Sequence, residues 1–209
     1  EARCDRATSR LCPARILDAD DYVARLRVEA QGSRQSAAAR VLEERRAASL
    51  PAVQAQRMAA GDAEQTAALR AVTAWMPGAS RALVLYGGPG GGKSYALAAA
   101  VRSGPPDALY LDGADLTRVA PWGPEWDSWA AVSLLSLDDF DRGEDRERLR
   151  ERTDRLISSR YDAGAGRIVL ATNLGRRELV GWLSDRARSR LVEMGGADVL
   201  VDCSGPDLR

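Results

Sequence analysis

The sequence predicts an α/β protein with a parallel, doubly wound sheet of five strands, preceded by a small helical segment. Short apolar segments alternate with helical ones, and the first apolar segment leads directly into a glycine-rich turn and a helix. Apolar segments of this kind are typical of strands that are covered on both faces of a parallel sheet. The predicted strands are residues 81–86, 108–112, 132–137, 167–172 and 199–202.

Helices are predicted around these strands from the spacing of the apolar residues. Residues 62–75 place alanine, valine and tryptophan side chains on one face, ahead of the first strand. Residues 94–102 form an alanine-rich helix after that strand, and residues 145–160 form a charged amphipathic helix between the third and fourth strands. We therefore expect one α/β domain over residues 59–209.

The preceding segment, residues 1–58, is arginine-rich and is predicted to be a small helical module or docking arm. Asp20 can cap a helix that ends at Gly32, and residues 33–49 fit a second helix that Pro51 ends. The apolar content of this segment is modest, so a solvated linker is the alternative.

Composition excludes several classes of protein. The formal net charge is zero, so any DNA contact requires a local patch or an assembly. No apolar run approaches the roughly 18 residues that span a bilayer, and no secretory signal is visible. We expect a cytoplasmic protein without membrane contact. Cys4, Cys12 and Cys203 are expected to be reduced thiols; the alternative is a zinc site that Cys4 and Cys12 form with ligands upstream of Glu1.

Residues 87–94 contain the clearest chemical signal. Their spacing, Gly-x4-Gly-Lys-Ser between a strand and a helix, is that of a P-loop, whose backbone N–H groups point at phosphate oxygens. The chain has a single lysine, and it stands at the position where a P-loop needs a compact ammonium. The predicted ATP-binding residues are Gly87, Gly88, Pro89, Gly90, Gly91, Gly92, Lys93, Ser94 and Tyr95.

The third predicted strand ends in two carboxylates, Asp138 and Asp139. An apolar strand with this ending matches a Walker B motif. We predict that Asp138 and the Ser94 hydroxyl hold Mg²⁺, and that Asp139 orients the attacking water. A turn with two surface aspartates is the alternative. Asp139 stands where many such ATPases have glutamate, which leaves the speed of hydrolysis open.

Two further groups follow. The fourth strand ends in Thr172 and Asn173, which predicts that the Asn173 amide lies beside the γ-phosphate in the sensor 1 role; an Asn-containing turn is the alternative. Arg186 and Arg190 lie four residues apart, on one helix face. Arginines at this point can reach ATP that is bound to a neighbouring subunit, and a solvated basic face is the alternative.

Together these motifs resemble the DnaC/IstB branch of the AAA+ ATPases, which includes bacterial and phage helicase loaders. The resemblance covers about residues 60–209. It rests on the P-loop, the paired aspartates, Ala-Thr-Asn at residues 171–173, the Arg-x3-Arg pair and the closing Gly205-x3-Arg209. The end of the chain just after the fifth strand, without a helical lid, is also similar to this family.

The resemblance implies an ATP-dependent, Mg²⁺-dependent helicase loader. Residues 1–58 would dock on a replicative DnaB-like helicase, and the ATPase domain would help to place that ring on single-stranded DNA. The second arginine of the family's pair acts in trans, which here implies self-association through Arg190 in the ATP state; Arg186 matches the first. The alternatives are an IstB-like transposition helper and a nucleotide-binding adaptor with little hydrolysis.

One segment departs from this family. Between the second and third strands, the loaders carry a helical element that helps to contact DNA, whereas Pro121, Gly123 and Pro124 interrupt any long helix here. The tryptophans of the segment can stack on bases or pack in the core or an interface. They are Trp122, Trp126 and Trp129.

Overall fold

A computed structural model describes residues 13–60, 65–120, 123–164 and 166–205. Cys4, Cys12, Trp122 and the closing Arg209 lie outside these ranges. Within the described residues, no group of cysteine, aspartate and glutamate side chains is arranged to hold a metal ion by itself. The same residues include no helix with the length and apolarity needed to cross a membrane.

The sheet of the described chain has five parallel strands in the order β2-β3-β4-β1-β5. The predicted strands are confirmed to within two residues at each end. Because all the strands are parallel, the chain crosses over the sheet between consecutive strands. The strands are β1 (Ala82–Tyr86), β2 (Leu109–Asp112), β3 (Leu134–Asp138), β4 (Arg167–Ala171) and β5 (Leu200–Asp202).

Helices connect the strands and cover both faces of the sheet. The long helices predicted before β1, after β1 and before β4 are α3, α4 and α7. The full set is α1 (Pro13–Ser49), α2 (Ala52–Ala59), α3 (Ala67–Trp75), α4 (Lys93–Ser103), α5 (Gly113–Arg118), α6 (Pro124–Ala131), α7 (Arg146–Asp162), α8 (Arg176–Trp182) and α9 (Asp185–Gly195).

Alternate residues of β1 point into two separate apolar cores. Leu83 and Leu85 pack with residues of α3 and α4 on one face. Val84 and Tyr86 pack on the other face with residues of α5 to α9. Both faces are therefore buried, which explains why the strand sequence is apolar throughout instead of alternating. The prediction of a doubly wound sheet is confirmed.

The N-terminal helix differs from the prediction. Residues 13–49 form one helix, α1, and Gly32 lies inside it rather than at its end. A glycine in a helix costs only about 1 kcal/mol relative to alanine, and the alanine-rich sequence that follows supplies strong helix formers. The compact unit that contains the sheet begins at Glu43, whereas the sequence placed the boundary between residues 58 and 59.

Arginine serves the interior as well as the surface, which the composition, with its single lysine, did not indicate. Arg160, at the end of α7, is completely buried. Its guanidinium donates to the carbonyl oxygens of Trp129, Ala130, Val132 and Arg167, at 2.8 to 3.1 Å. Burial lowers the pKa of Arg160 to about 10. The side chain thus satisfies carbonyls at the end of α6 and the start of β4.

The tryptophan segment forms two short helices, α5 and α6. Trp126 and Trp129 are buried in the core of the sheet's second face, with ring centroids 6.0 Å apart. Neither ring is accessible to a base. Of the two uses predicted for these residues, core packing is the one found.

Candidate nucleotide-binding site

The predicted P-loop lies between β1 and α4, at the carboxyl end of the sheet. The carboxyl ends of β3 and β4, the strands that stand next to each other on one side of β1, meet at the same edge. This is the edge at which open parallel sheets bind ligands. The topology therefore brings the P-loop, Asp138, Asp139 and Asn173 to one edge of the sheet.

Close packing explains why the loop needs glycine. Gly92, the residue before α4, has a φ of 75°, and a Cβ there would lie 2.6 Å from the Thr66 methyl group. A Cβ on Gly91 would lie 2.2 Å from the Cys203 carbonyl oxygen, directly after β5. The loop therefore rests on the residues before α3 and after β5. No sequence motif had indicated that Thr66 and Cys203 would pack against the P-loop.

Lys93 points back into the loop that precedes it. Its Nζ donates to the carbonyl oxygens of Gly87 at 2.7 Å and Gly88 at 2.6 Å, and the residue is 6% exposed. Burial lowers the pKa of Lys93, against the opposing influence of nearby acids that include Asp138 and Asp139. The ammonium is thus held at the centre of the loop, next to the carboxylates of β3.

Asp138 is buried and its carboxylate has two hydrogen-bond donors. The hydroxyl of Tyr110, on β2, donates to Oδ2 at 2.5 Å, and the backbone N–H of Asp139 donates to Oδ1 at 3.0 Å. Burial and the adjacent Asp138 raise the pKa of Tyr110, which keeps its hydroxyl protonated. No sequence motif includes Tyr110, since a tyrosine within a buried strand has the pattern of an ordinary core residue.

Asp139 adopts a left-handed backbone conformation, with a φ of 44°. Positive φ is uncommon outside glycine, although aspartate and asparagine tolerate it better than most residues. The carboxylate accepts a hydrogen bond from Asn173 Nδ2 at 2.8 Å, and Arg142 lies 3.7 Å away. Burial raises the pKa of Asp139, and the charges of Asp138 and Asp141 raise it further.

Asp141 is a third acid at this edge, and none of the sequence motifs includes it. It accepts a hydrogen bond from the hydroxyl of buried Thr172, which in turn accepts from the backbone N–H of Leu174. The ends of β3 and β4 are therefore joined twice, by Asp139 to Asn173 and by Asp141 to Thr172. These bonds fix the two loops relative to each other.

The P-loop opens into a cleft of about 670 Å³. Its lining includes the acids Asp139 and Asp141, the Asn173 amide and several cationic side chains. Residues of α2 and of the start of α4 also line it. The lining includes Gln54, Arg57, Thr66, residues 89–95, Arg142, Arg146 and Leu174.

Two residues of α2 contribute to the cleft. Residues 1–58 were assigned to a docking segment and linker, yet Gln54 and Arg57 line the cleft, one helical turn apart. The Arg57 guanidinium lies 5.6 Å from the centroid of the Tyr95 ring. Gln54 Oε1 is buried without a hydrogen-bond partner within the described structure. No spacing in the sequence pointed to these two side chains.

Arg186 and Arg190 do not line the cleft of their own chain. Arg190 is 8% exposed, donates to Asp162 at 2.9 Å and lies over the Tyr161 ring, 5.0 Å from its centroid. Arg186 is exposed, one turn nearer the start of α9. An action of Arg190 on a neighbouring subunit stays a prediction, and it requires the pair with Asp162 to open.

The residues of the cleft fit a nucleoside triphosphate and magnesium. Lys93, Arg57 and Arg146 supply positive charge along a cleft whose size suits a small ligand. The Ser94 hydroxyl and the Asp138 carboxylate are the hard oxygen ligands that Mg²⁺ prefers. Acidic and cationic side chains thus line one cleft, as a metal-bound triphosphate requires.

Comparison with solved structures defines the fold. A DNA replication initiation factor matches at 23% identity and a TM-score of 0.50, over 64% of this chain and 44% of that one. DnaI matches at 18% identity and a TM-score of 0.52, over 68% of this chain and 82% of that one. Domain III of the Thermotoga maritima replication initiation protein DnaA matches at 22% identity and a TM-score of 0.51, over 67% of this chain and 62% of that one. The chain spans less than two thirds of the first and third of these.

No protein-family model and no curated protein sequence matches the chain. At the identities above, the structural likeness establishes the fold alone. The protein shares its α/β fold with DnaI and with domain III of DnaA, the class of fold that the sequence resemblance implies. The sequence resemblance to this class is confirmed at the level of the fold.

Proposed function

We propose that the protein is a Mg²⁺-dependent ATPase that loads a replicative helicase. The observation that carries the ATPase part is that Lys93, Ser94, Asp139 and Asn173 line one cleft, where Asn173 donates a hydrogen bond to Asp139. When bound, magnesium would neutralise negative charge on the phosphates. Ser94 and Asp138 would hold it, and Lys93 would exchange its bonds to the loop carbonyls for bonds to phosphate oxygens.

Asp139 and Asn173 would act on the water that attacks the terminal phosphate. Asp139 would accept a hydrogen bond from that water and orient it. The Asn173 amide would keep the carboxylate in place, since it already donates to Asp139 Oδ1. The raised pKa of Asp139 fits a carboxylate that receives a proton.

Nucleotide binding is tested by calorimetry with Mg²⁺-ATP on the wild-type chain and on Lys93→Ala. We expect the variant to lose binding by 100-fold or more, on the order of the loss of one buried charged partner. Arg102→Ala is the matched control, because it removes one exposed cation from the other end of α4. Wild-type protein without Mg²⁺-ATP binding, or equal binding by Lys93→Ala, would refute the ATPase proposal.

The helicase part rests on the sequence resemblance and on the AAA+ fold shared with DnaI. It is tested by co-purification of the full chain, together with any natural residues before Glu1, with the replicative DnaB-like helicase of the same source. The expected result is a stoichiometric complex that forms with ATP present. Recovery of a transposase with duplex DNA, and no helicase, would favour the IstB-like alternative.

Delivery of the helicase to single-stranded DNA would need contacts with that strand. Trp126 and Trp129 are buried and do not supply them. A strand-binding assay with and without ATP, with the helicase present, tests this step. We expect any binding to depend on ATP, since the chain has no net positive charge and a DNA surface would have to form by assembly.

Arg190 is proposed to complete the ATP site of a neighbouring copy. A mixture of Lys93→Ala and Arg190→Ala subunits tests this, because only a mixed interface pairs an intact P-loop with an intact arginine. Turnover by the mixture above that of either variant alone would support action in trans. Absence of that gain, with both variants folded, would assign Arg190 to its internal pair with Asp162.

Asp139 favours one alternative, an adaptor that binds nucleotide and scarcely hydrolyses it. Its carboxylate is one methylene shorter than glutamate, and Asn173 already holds it. Turnover of wild type and Asp139→Ala, measured with helicase and single-stranded DNA, separates the two functions. Equal rates would favour the adaptor, and a fall in the variant would support the ATPase.

A further inference from the structure

Tyr110 is a buried side chain whose hydroxyl contacts the acid assigned to the metal. It lies on β2, the edge strand next to β3, and is 5% exposed. Its hydroxyl donates to Asp138 Oδ2 at 2.5 Å. None of the sequence motifs includes this residue, and the proposed hydrolysis does not require it to touch nucleotide.

The ring alone would not need a hydroxyl. Tyr110 packs in the apolar core formed by α3, α4 and one face of the sheet, where phenylalanine would fill the same space. A buried tyrosine hydroxyl needs a hydrogen-bond partner. Here that partner is Asp138, so the hydroxyl has a specific target.

Two donors together fix the plane of the Asp138 carboxylate. The terminal torsion of an aspartate is soft and has no sharp preference by itself. The N–H of Asp139 holds Oδ1, and the hydroxyl of Tyr110 holds Oδ2. Groups that hydrogen-bond a metal-binding carboxylate orient it, and their loss typically weakens metal affinity about 10- to 100-fold.

The position of Tyr110 is itself fixed from the other side of β2. Its backbone N–H faces away from β3 and lies 3.2 Å from the hydroxyl oxygen of Ser49, the last residue of α1. Ser49 donates in turn to the Arg46 carbonyl oxygen at 2.8 Å. An edge-strand N–H that would otherwise face solvent is thereby paired, which holds the strand at the residue that carries the hydroxyl.

We propose that Tyr110 is a positioning residue that orients Asp138 and thereby sets the magnesium dependence of nucleotide binding. The proposal rests on the proposed ATPase function. Tyr110 acts through Asp138 and touches neither nucleotide nor the reacting atoms. We therefore expect nucleotide binding to require a lower Mg²⁺ concentration with tyrosine at this position than with phenylalanine.

The test is a Mg²⁺ titration of fluorescent ATP-analogue binding, which needs no turnover. Tyr110→Phe should raise the Mg²⁺ concentration for half-maximal binding about 10-fold or more, while binding in EDTA stays unchanged. Tyr161→Phe is the matched control, since it removes another tyrosine–carboxylate bond, to Glu193, outside the cleft. Circular dichroism in EDTA checks folding, and Tyr110→Met is the second variant if Tyr110→Phe does not fold.

A double-mutant cycle separates orientation from a general structural effect. In an Asp138→Asn background, Tyr110→Phe should leave the Mg²⁺ dependence unchanged, because the acid it orients is gone. An equal Mg²⁺ dependence of wild type and Tyr110→Phe would overturn the inference. The same shift in both backgrounds would also overturn it. Failure of wild type to bind the analogue would instead refute the ATPase proposal.

Discussion

Asn173 and Asp139 are joined by a 2.8 Å hydrogen bond between the ends of β4 and β3. The bond connects the residue predicted to sense the terminal phosphate with the one predicted to orient water. Arg142 stands on the other side of the same carboxylate, at 3.7 Å, and is mostly exposed. The Asp139 carboxylate is therefore held mainly by Asn173.

Replacement of Asn173 by aspartate should remove the donor and add a second negative charge beside Asp139. We expect turnover to fall on the order of 100-fold, the usual effect of losing one aligned donor in a site of this kind. Asn173→Ala removes the donor without adding charge, so its turnover should fall less. Steady-state hydrolysis and analogue binding, measured on both variants, check this. Equal turnover of wild type and Asn173→Asp would contradict it.

Asp139→Asn should stabilise the folded protein at neutral pH while lowering turnover. The pKa of Asp139 is raised by burial and by Asp138 and Asp141. The folded chain therefore binds this proton more tightly than the unfolded chain, and ionisation of the carboxylate lowers stability as pH rises through the raised pKa. Asparagine also tolerates the left-handed backbone at this position.

The gain should be present at pH 7.5 and should vanish below the ordinary aspartate pKa of 3.8. Thermal unfolding of the two proteins across this pH range measures it. Asp198→Asn, which removes an exposed acid elsewhere, should have little effect at either pH. A lower melting temperature of Asp139→Asn at pH 7.5 would show that the carboxylate stabilises the fold.

Gly113→Ala should destabilise the protein by about 1 to 3 kcal/mol, the usual cost of overpacking. A Cβ on Gly113 would lie 2.5 Å from the Asp139 carbonyl oxygen, so the start of α5 and the end of β3 would have to separate. Gly181→Ala is the control, since nothing lies within 4 Å of its Cβ position. Urea unfolding of both variants checks the difference, and equal midpoints would mean that the loop adjusts freely.

Arg160→Met should cost roughly 3 kcal/mol or more, because buried carbonyl oxygens lose a charged donor. Methionine keeps much of the apolar stem and supplies none of the N–H groups that reach Trp129, Val132 and Arg167. Arg150→Met, on the exposed face of the same helix, should change stability by less than about 0.5 kcal/mol. Similar unfolding midpoints for the two variants would be inconsistent with the role assigned to Arg160.

Local sequence was enough for the order of strands and helices and for the residues of the P-loop. Apolar runs in β1, β3 and β4 predict strands directly, since both of their faces are buried. The motifs of Lys93, Asp138 and Asn173 predict roles for all three around one nucleotide. The predicted helix end at Gly32 was wrong, because a single glycine does not end a helix when the residues around it are strong helix formers.

Tertiary structure alone decided which side chains support these groups. Tyr110 meets Asp138 across two strands, and Thr66 lies under the P-loop although it precedes β1. Gln54 and Arg57 line the cleft from a helix that looked like a linker. A motif is a short-range pattern, and it indicates which residues supply the charged groups of a site. Contacts between residues far apart in the chain depend on how helices and strands pack, and local spacing contains no information on that packing.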